Sequence, residues 1–296
     1  MSSCLYCKNH DAIENSHIIP KFVTDWVKDT SSTGYLRSIS NPNKREQDGE
    51  KKPILCTTCE QFFGNFENIY KKNLFSLIAN YRKPLPKVLE ISENDKKFML
   101  TLIWRQIIRL LHFDAHDKIY PHELEFLEKK ADLIKNYIDF YDFNDKTEFS
   151  LYLIPLHEDQ VKNLSLPLAA TANFYEYERQ IFGDLSVLDN FEQVWVMVKL
   201  PFHIIVCDLM KNTHEWDVPE LLTTNKLVIS EIKAVPQMLK NELKKRVYIQ
   251  AKETYFSISD EQKAKIESDT KKNMAKNKKE TGSHKSFTRS HVVKND

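Results

Sequence analysis

Apolar residues recur at helical spacing in several stretches of the chain. Phe62, Phe63, Phe66, Ile69, Tyr70, Leu74, Leu77 and Ile78 fall mostly three or four apart and predict an amphipathic helix. A shorter amphipathic piece, Phe22 to Val27, precedes it. Ser92-Glu93-Asn94-Asp95 reads as a helix start, a serine cap followed by early acidic residues. The helix it opens, to about His112, is apolar on most faces and is expected at the centre of a core. Pro121 opens another, with Leu124, Leu127, Ala131, Ile134 and Ile138 along one side. From residue 148 the texture changes. Phe149 to Ile154, Gln193 to Leu200, Phe202 to Asp208 and Lys226 to Ile232 are rich in β-branched and aromatic residues and read as strands. Pro201 separates the second of these from the third. Residues 235–256 and 259–275 return to helical spacing. The pattern predicts an α+β fold without internal repeats. Pro84-Leu85-Pro86 marks a boundary, giving a small module over 1–82, an α+β region of unknown role over 83–260 and a tail over 261–296.

Composition narrows the function classes. The chain has 296 residues, 41% of them hydrophobic, with 17 Phe and 12 Tyr, so it can bury a core and is not disordered throughout. With only 5 glycines and neither a G-x-G-x-x-G nor a Walker A run, it lacks the backbone cradle of dinucleotide and P-loop folds. The most apolar stretch, Phe98 to Leu111, carries Arg105 and Arg109 and is too short to cross a bilayer, so no membrane role is expected. The opening Met-Ser-Ser-Cys-Leu-Tyr-Cys lacks the features of a signal peptide, which makes the cytoplasm the expected location. The net charge of +1 hides an asymmetry: residues 240–296 hold 15 basic and 8 acidic side chains, residues 1–239 hold 28 and 34. The basic end, from Lys271, is nearly devoid of apolar residues and is expected to fray from helix into disorder. It suits either a phosphate backbone or simple solubilisation.

The cysteines carry the strongest chemical signal. Four of the five form two C-x2-C pairs, Cys4 with Cys7 and Cys56 with Cys59; Cys207 lies in an apolar run and reads as a small buried hydrophobe. In a cytosolic chain such pairs read as a four-thiolate zinc site, because a two-residue gap lets a tight turn aim both sulfurs at one tetrahedral ion. A closed shell of four thiolates makes that zinc structural and leaves no position for a catalytic water. Between the knuckles lie Ser16-His17-Ile18-Ile19-Pro20, a turn-rich stretch with Gly34, the loop Asn41-Pro42-Asn43 and the run Lys44 to Gly49. The second knuckle, Leu55-Cys56-Thr57-Thr58-Cys59-Glu60, leads straight into the first long helix.

At these residues, over roughly 1–80, the sequence resembles the zinc-containing HNH nucleases of the ββα-metal group. Cys4 and Cys7 match that family's first knuckle, His17 with Ile18-Ile19-Pro20 its general base, and Leu55, Cys56 and Cys59 its second knuckle at the start of a helix. The chain departs from the pattern at the metal ligands. Ser16 stands where the family has Asp, Glu60 where it has His, and Glu50 and Lys51 near its Asn. Asp48 is the nearest oxygen donor that could replace the Asn, with Asn41 and Asn43 further off, and Glu60 could bind magnesium or manganese through its carboxylate. The resemblance implies an HNH-like ββα module that hydrolyses phosphodiester bonds. His17 would activate water, with Asp48 and Glu60 as the other catalytic candidates, Arg45 as a phosphate contact, and a divalent ion stabilising the developing charge. It also implies DNA more than RNA as substrate and a place in bacterial anti-phage defence. The alternative is a catalytically degenerate zinc-binding module that recognises nucleic acid or a protein partner, and a homo-oligomer fits either reading.

Two further groupings weigh less. His112, Asp114, His116 and His122 lie close in sequence, but the helix carrying the first is expected to end there, so exposed histidines at a helix end are the simpler reading. His203 and Cys207 alternate with apolar residues in a strand and read as core. No G-x-S-x-G or H-E-x-x-H motif occurs.

Overall fold

A computed structural model describes residues 2–114, 120–140, 148–166, 176–188, 192–211, 215–249, 253–254, 256–277, 282 and 285. The fold is α+β. Strand β1 (Ser16–His17) leads into helix α1 (Lys21–Asp29), and β2 (Lys51–Lys52) leads into α2 (Thr57–Tyr70), which runs on through a wider turn over Lys71–Phe75 to Ile78. β1 and β2 pair antiparallel, Ser16 opposite Lys52 and His17 opposite Lys51. They are joined through α1 and the turn-rich segment, not by a tight hairpin. Next come β3 (Val88–Glu90), α3 (Glu93–Phe113), α4 (Pro121–Phe140), β4 (Ser150–Pro155) and the short α5 (Glu158–Asn163). β5 (Phe182–Leu188), β6 (Gln193–Leu200), β7 (His203–Asp208), β8 (Lys226–Val228), α6 (Gln237–Leu243) and α7 (Asp260–Asn277) complete the described elements.

The main sheet is antiparallel in the order β4-β7-β6-β5, and β3 pairs with β8 apart from it. Seven of the eight β6 residues are buried, as befits a central strand covered on both faces. The β6–β7 turn is Pro201-Phe202, with Phe202 at φ 64°, so Pro201 does separate the two strands. α3 lies on β5 and β6 with α2 and α4 beside it, and from Asp95 to Ile108 every position but Lys97 is buried. The expected serine cap is a full capping box: Ser92 Oγ accepts from the Asp95 N–H, and the Asp95 carboxylate accepts from the Ser92 N–H.

Several expectations are corrected. Lys226 to Ile232 is a three-residue strand followed by a 3-10 turn, not one strand. The helix expected over 235–256 starts at Gln237, is α-helical to Leu243, continues in a wider turn over Lys244–Ile249, and is again α-helical at residues 253, 254 and 256. β5 was not expected: its Gly183-Asp184 pair has low strand propensity, and pairing with β6 along its full length decides the matter. The basic end lies mostly outside the described residues; within them, 271–277 belong to α7.

Buried side chains from both sides of the Pro84–Pro86 boundary form one contiguous core. Tyr70 of α2 stacks on Phe98 of α3, and its hydroxyl lies 2.7 Å from Nε2 of the buried His203 on β7. Tyr6, in the first knuckle, sets its ring edge-on to Phe63 and Trp104, and its hydroxyl bonds to Asp139 on α4. Fully burying such a ring contributes about 1.5–3 kcal/mol, so the knuckles are anchored in the common core. α7 instead meets the segment between the knuckles through polar contacts: Arg45–Asp269 at 2.9 Å, Arg37 to Gln262 at 3.3 Å, Ser32–Thr270 at 3.1 Å and Asn273 to the Ser32 carbonyl at 2.8 Å.

Candidate metal centre and the adjoining His17 site

The two knuckles meet. The ligand atoms of Cys4, Cys7, Cys56 and Cys59 all lie within 4.8 Å of one another, and Cys7 Sγ is 3.8 Å from Cys56 Sγ. Four sulfurs placed about 2.3 Å from a central zinc form a tetrahedron with edges of about 3.8 Å, so the spacing fits that ion. Local backbone explains the convergence. Lys8 adopts φ 61° and its N–H returns to the Cys4 carbonyl, closing the first knuckle. Cys56 is the N-cap of α2 and Cys59 sits in its first turn, so the second pair straddles a helix N-terminus, where partial positive charge favours thiolates. The Leu5 N–H donates to the Ile54 carbonyl, lacing the knuckles together. Burial raises the Cys4 and Cys59 thiols above their ordinary range. At Cys7, partial burial is outweighed by the Asn9 N–H and neighbouring thiols, which bring it down to about 7. A cation among the four sulfurs would stabilise the thiolates that crowding otherwise opposes.

His17 ends β1, next to Ser16, which bonds the backbone of Leu55 just ahead of Cys56. His17 Nε2 lies 2.9 Å from Asp48 Oδ1. The Gly49 N–H donates to the same oxygen at 2.9 Å, and Lys51 Nζ sits 2.6 Å from Oδ2. Partial burial opposes the Asp48 charge, but the bonds from Lys51, His17 and Gly49 outweigh it and hold the carboxyl well below the usual carboxylate range. In a neutral imidazole, donation of the Nε2 proton to Asp48 leaves the lone pair on Nδ1.

The remaining candidates are engaged elsewhere. Glu60 Oε2 lies 3.7 Å from Arg105, which also holds Glu67 at 3.0 Å and covers the Phe63 ring; Arg105 is only 1% exposed. Glu60 Oε1 is buried without a hydrogen-bond partner. Ser16 is buried, and its Oγ accepts from the Leu55 N–H at 3.2 Å, tying β1 to the second knuckle. Arg45 pairs with Asp269 and lies over the Tyr35 ring, and Asn43 bonds to Ser257 and Ser259. Asn41 closes a turn on Ser38.

Among the described residues, the four cysteines are the only group of three or more His, Cys, Asp or Glu whose ligand atoms gather this closely. His17, Asp48 and Glu60 therefore do not form a three-ligand divalent site. Nor do His112, Asp114 and His122 converge: Asp114 pairs with Arg109 and His122 stacks on Tyr120, while His116 lies outside the described residues. His203 and Cys207 are core, as the alternation predicts. No described helix is long and apolar enough to cross a membrane. Sequence reading missed Arg105, which ties Glu60 into the core; a basic residue in an otherwise apolar helix was the signal for it. No protein-family model, curated protein or solved structure matches the chain.

Proposed function

We propose that the chain is a zinc-held, HNH-like nuclease in which the His17–Asp48 pair activates water against a phosphodiester of nucleic acid, DNA more than RNA. The observation that carries this reading is the 2.9 Å contact between His17 Nε2 and Asp48 Oδ1, in the segment that links the two halves of the four-cysteine cluster. Support also comes from the order of elements, two paired strands and then a helix that starts on the second knuckle. In this mechanism Nδ1 of His17 takes a proton from water, the water oxygen bonds to phosphorus, and the P–O bond to the leaving oxygen breaks, that oxygen keeping the electron pair and taking a proton from solvent. Asp48 keeps the imidazole in the required tautomer and stabilises the imidazolium. Zinc held by Cys4, Cys7, Cys56 and Cys59 would be structural, since four thiolates leave it no open position. A magnesium or manganese ion at the phosphate would neutralise developing charge. His17, Asp48 and Glu60 do not gather as its ligands, and the reading routes no step through it.

A second reading, a catalytically degenerate zinc-binding module that recognises nucleic acid or a protein, is favoured by two observations. Ser16 is engaged with the Leu55 backbone, and Glu60 Oε2 lies 3.7 Å from Arg105. The two readings part in a cleavage assay on plasmid DNA and on RNA, with magnesium and with manganese. The nuclease reading expects the wild type to cut and His17→Ala to lose cutting by about a hundredfold or more. A wild type that cuts neither substrate, or a variant that cuts equally well, contradicts it. A role in anti-phage defence follows only if cutting is found.

A further inference from the structure

A cleft of about 560 Å³ opens on Asp48, between the segment linking the knuckles and the β5 edge of the sheet. Its cationic residues are unusual for this chain. Of 43 basic residues only 8 are arginine, yet Arg37, Arg109, Arg179 and Arg246 line the cleft and no lysine does. Arginine's planar fork suits bidentate contact with phosphate oxygens, whereas lysine offers a point charge. Two of the four are balanced by carboxylates: Arg109 pairs with Asp114, and Arg246 pairs with Asp184 and Glu242. Among the described residues the other two have only neutral hydrogen-bond partners. Arg37 donates to the Pro42 carbonyl and Gln262. Arg179, 9% exposed, donates to Thr30 Oγ1, the Tyr81 hydroxyl and the Val27 carbonyl, and lies over the Trp26 ring. Burial and the charge on Arg45 depress the Arg37 pKa, as expected of a guanidinium short of an anion. Two of the cleft's three carboxylates are engaged with other cations. Asp48 is spent on His17 and Lys51, and Glu50 lies 3.5 Å from Lys52; Glu46 also lines the wall.

A second, independent observation points to a ligand. Gln106 lines the same cleft from α3, is 2% exposed, and its Nε2 has no hydrogen-bond partner. Its Oε1 accepts from Arg109 Nε at 3.4 Å, which favours the orientation that leaves the N–H side unspent. Gly183 on β5 makes room for it, since a Cβ there would overlap the amide. A buried donor without an acceptor is destabilising, and an anion seated beside it would satisfy it.

We propose that this cleft is a phosphate subsite for a nucleic-acid strand, in which Arg37, Arg179 and the Gln106 amide hold a phosphate adjacent to the one facing His17. The proposal rests on the hydrolytic reading for its strand ligand but uses residues mostly outside the 1–80 segment. The subsite fixes the strand's register without reading bases, since each contact goes to the backbone.

The test is fluorescence anisotropy with a short labelled DNA oligonucleotide, without added divalent metal so that nothing is cut. Wild type is compared with Arg37→Gln and the volume-conserving Gln106→Met, each checked for folding by circular dichroism. Each substitution is expected to weaken binding about tenfold, a charged hydrogen bond's worth. Arg37→Gln should also lower the salt slope by about one, while Gln106→Met leaves it unchanged. Wild-type protein that does not bind, or binding indifferent to both substitutions, overturns the subsite. A deoxynucleoside monophosphate or inorganic phosphate binding as tightly as the oligonucleotide makes the ligand a free phosphate and overturns the strand assignment. Loss of binding in the variants of a protein that never cuts leaves the subsite standing and removes the hydrolytic reading. Cutting with unaltered affinity in both variants does the reverse.

Discussion

At the scale of single residues, chemistry here depends on what each polar group touches. Asp48 accepts from His17, Gly49 and Lys51 together, and that triple contact keeps it ionised. Its depressed pKa has a signed consequence. The stability it contributes is fully present above the unfolded carboxylate value of about 3.9 and is lost as pH falls through the lower folded value. Asp48→Asn should therefore open a stability gap from wild type that is full at about pH 5 and closes as pH drops below about 4. Chemical denaturation at a series of pH values measures it, and a gap that does not change with pH contradicts the assignment. The cysteine cluster was legible from sequence because the C-x2-C spacing carries chemistry, whereas His17 was singled out only by the family resemblance of Ser16 to Pro20. The His17–Asp48 contact was legible only as a pair of candidates, since 31 positions separate them and only the β1–β2 register brings them together. Gly183 shows a signal that composition could not place. Its role is space for Gln106, a residue far away in sequence.

At the scale of elements, α2 and α3 are locked by one buried guanidinium. Arg105 projects from α3 toward Glu60 and Glu67, which stand two turns apart on α2. Removing one partner of a buried ion pair leaves a charge uncompensated and costs about 3–5 kcal/mol. Here the carboxylates are partly exposed and Glu67 keeps the closer contact, so Glu60→Gln should cost less, about 1 kcal/mol. It should leave any magnesium or manganese dependence of cutting unmoved. A denaturation curve and a metal titration check the two halves. A large shift in metal requirement would return Glu60 to the role of metal ligand that its place after the second knuckle suggested. Long helices with strong periodicity, such as α3 and α4, were read well from sequence. The short strands β1, β2, β3 and β5 were not, because two to seven residues carry little periodicity and their pairing is decided by distant partners.

At the scale of the whole molecule, the knuckles hold together two segments that the sequence sets about fifty positions apart, and Tyr6 and Tyr70 tie that junction to α3, α4 and the main sheet. The α+β class was legible because helical and strand textures occupy different stretches of chain. The continuity of the core across Pro84–Pro86 was not, since a proline pair signals a turn in the backbone and says nothing about which side chains meet beyond it. If the four cysteines hold a metal, that ion is part of the folded state. Its removal should loosen β1, β2 and the N-terminus of α2 first, and His17 with them. The most direct test is elemental analysis of the purified protein beside its Cys4→Ser and Cys59→Ser variants. The account predicts close to one zinc per chain in the wild type, loss of that zinc in both variants, and a lower melting temperature on its removal. Wild-type protein that is folded and carries far less than one zinc per chain would contradict it.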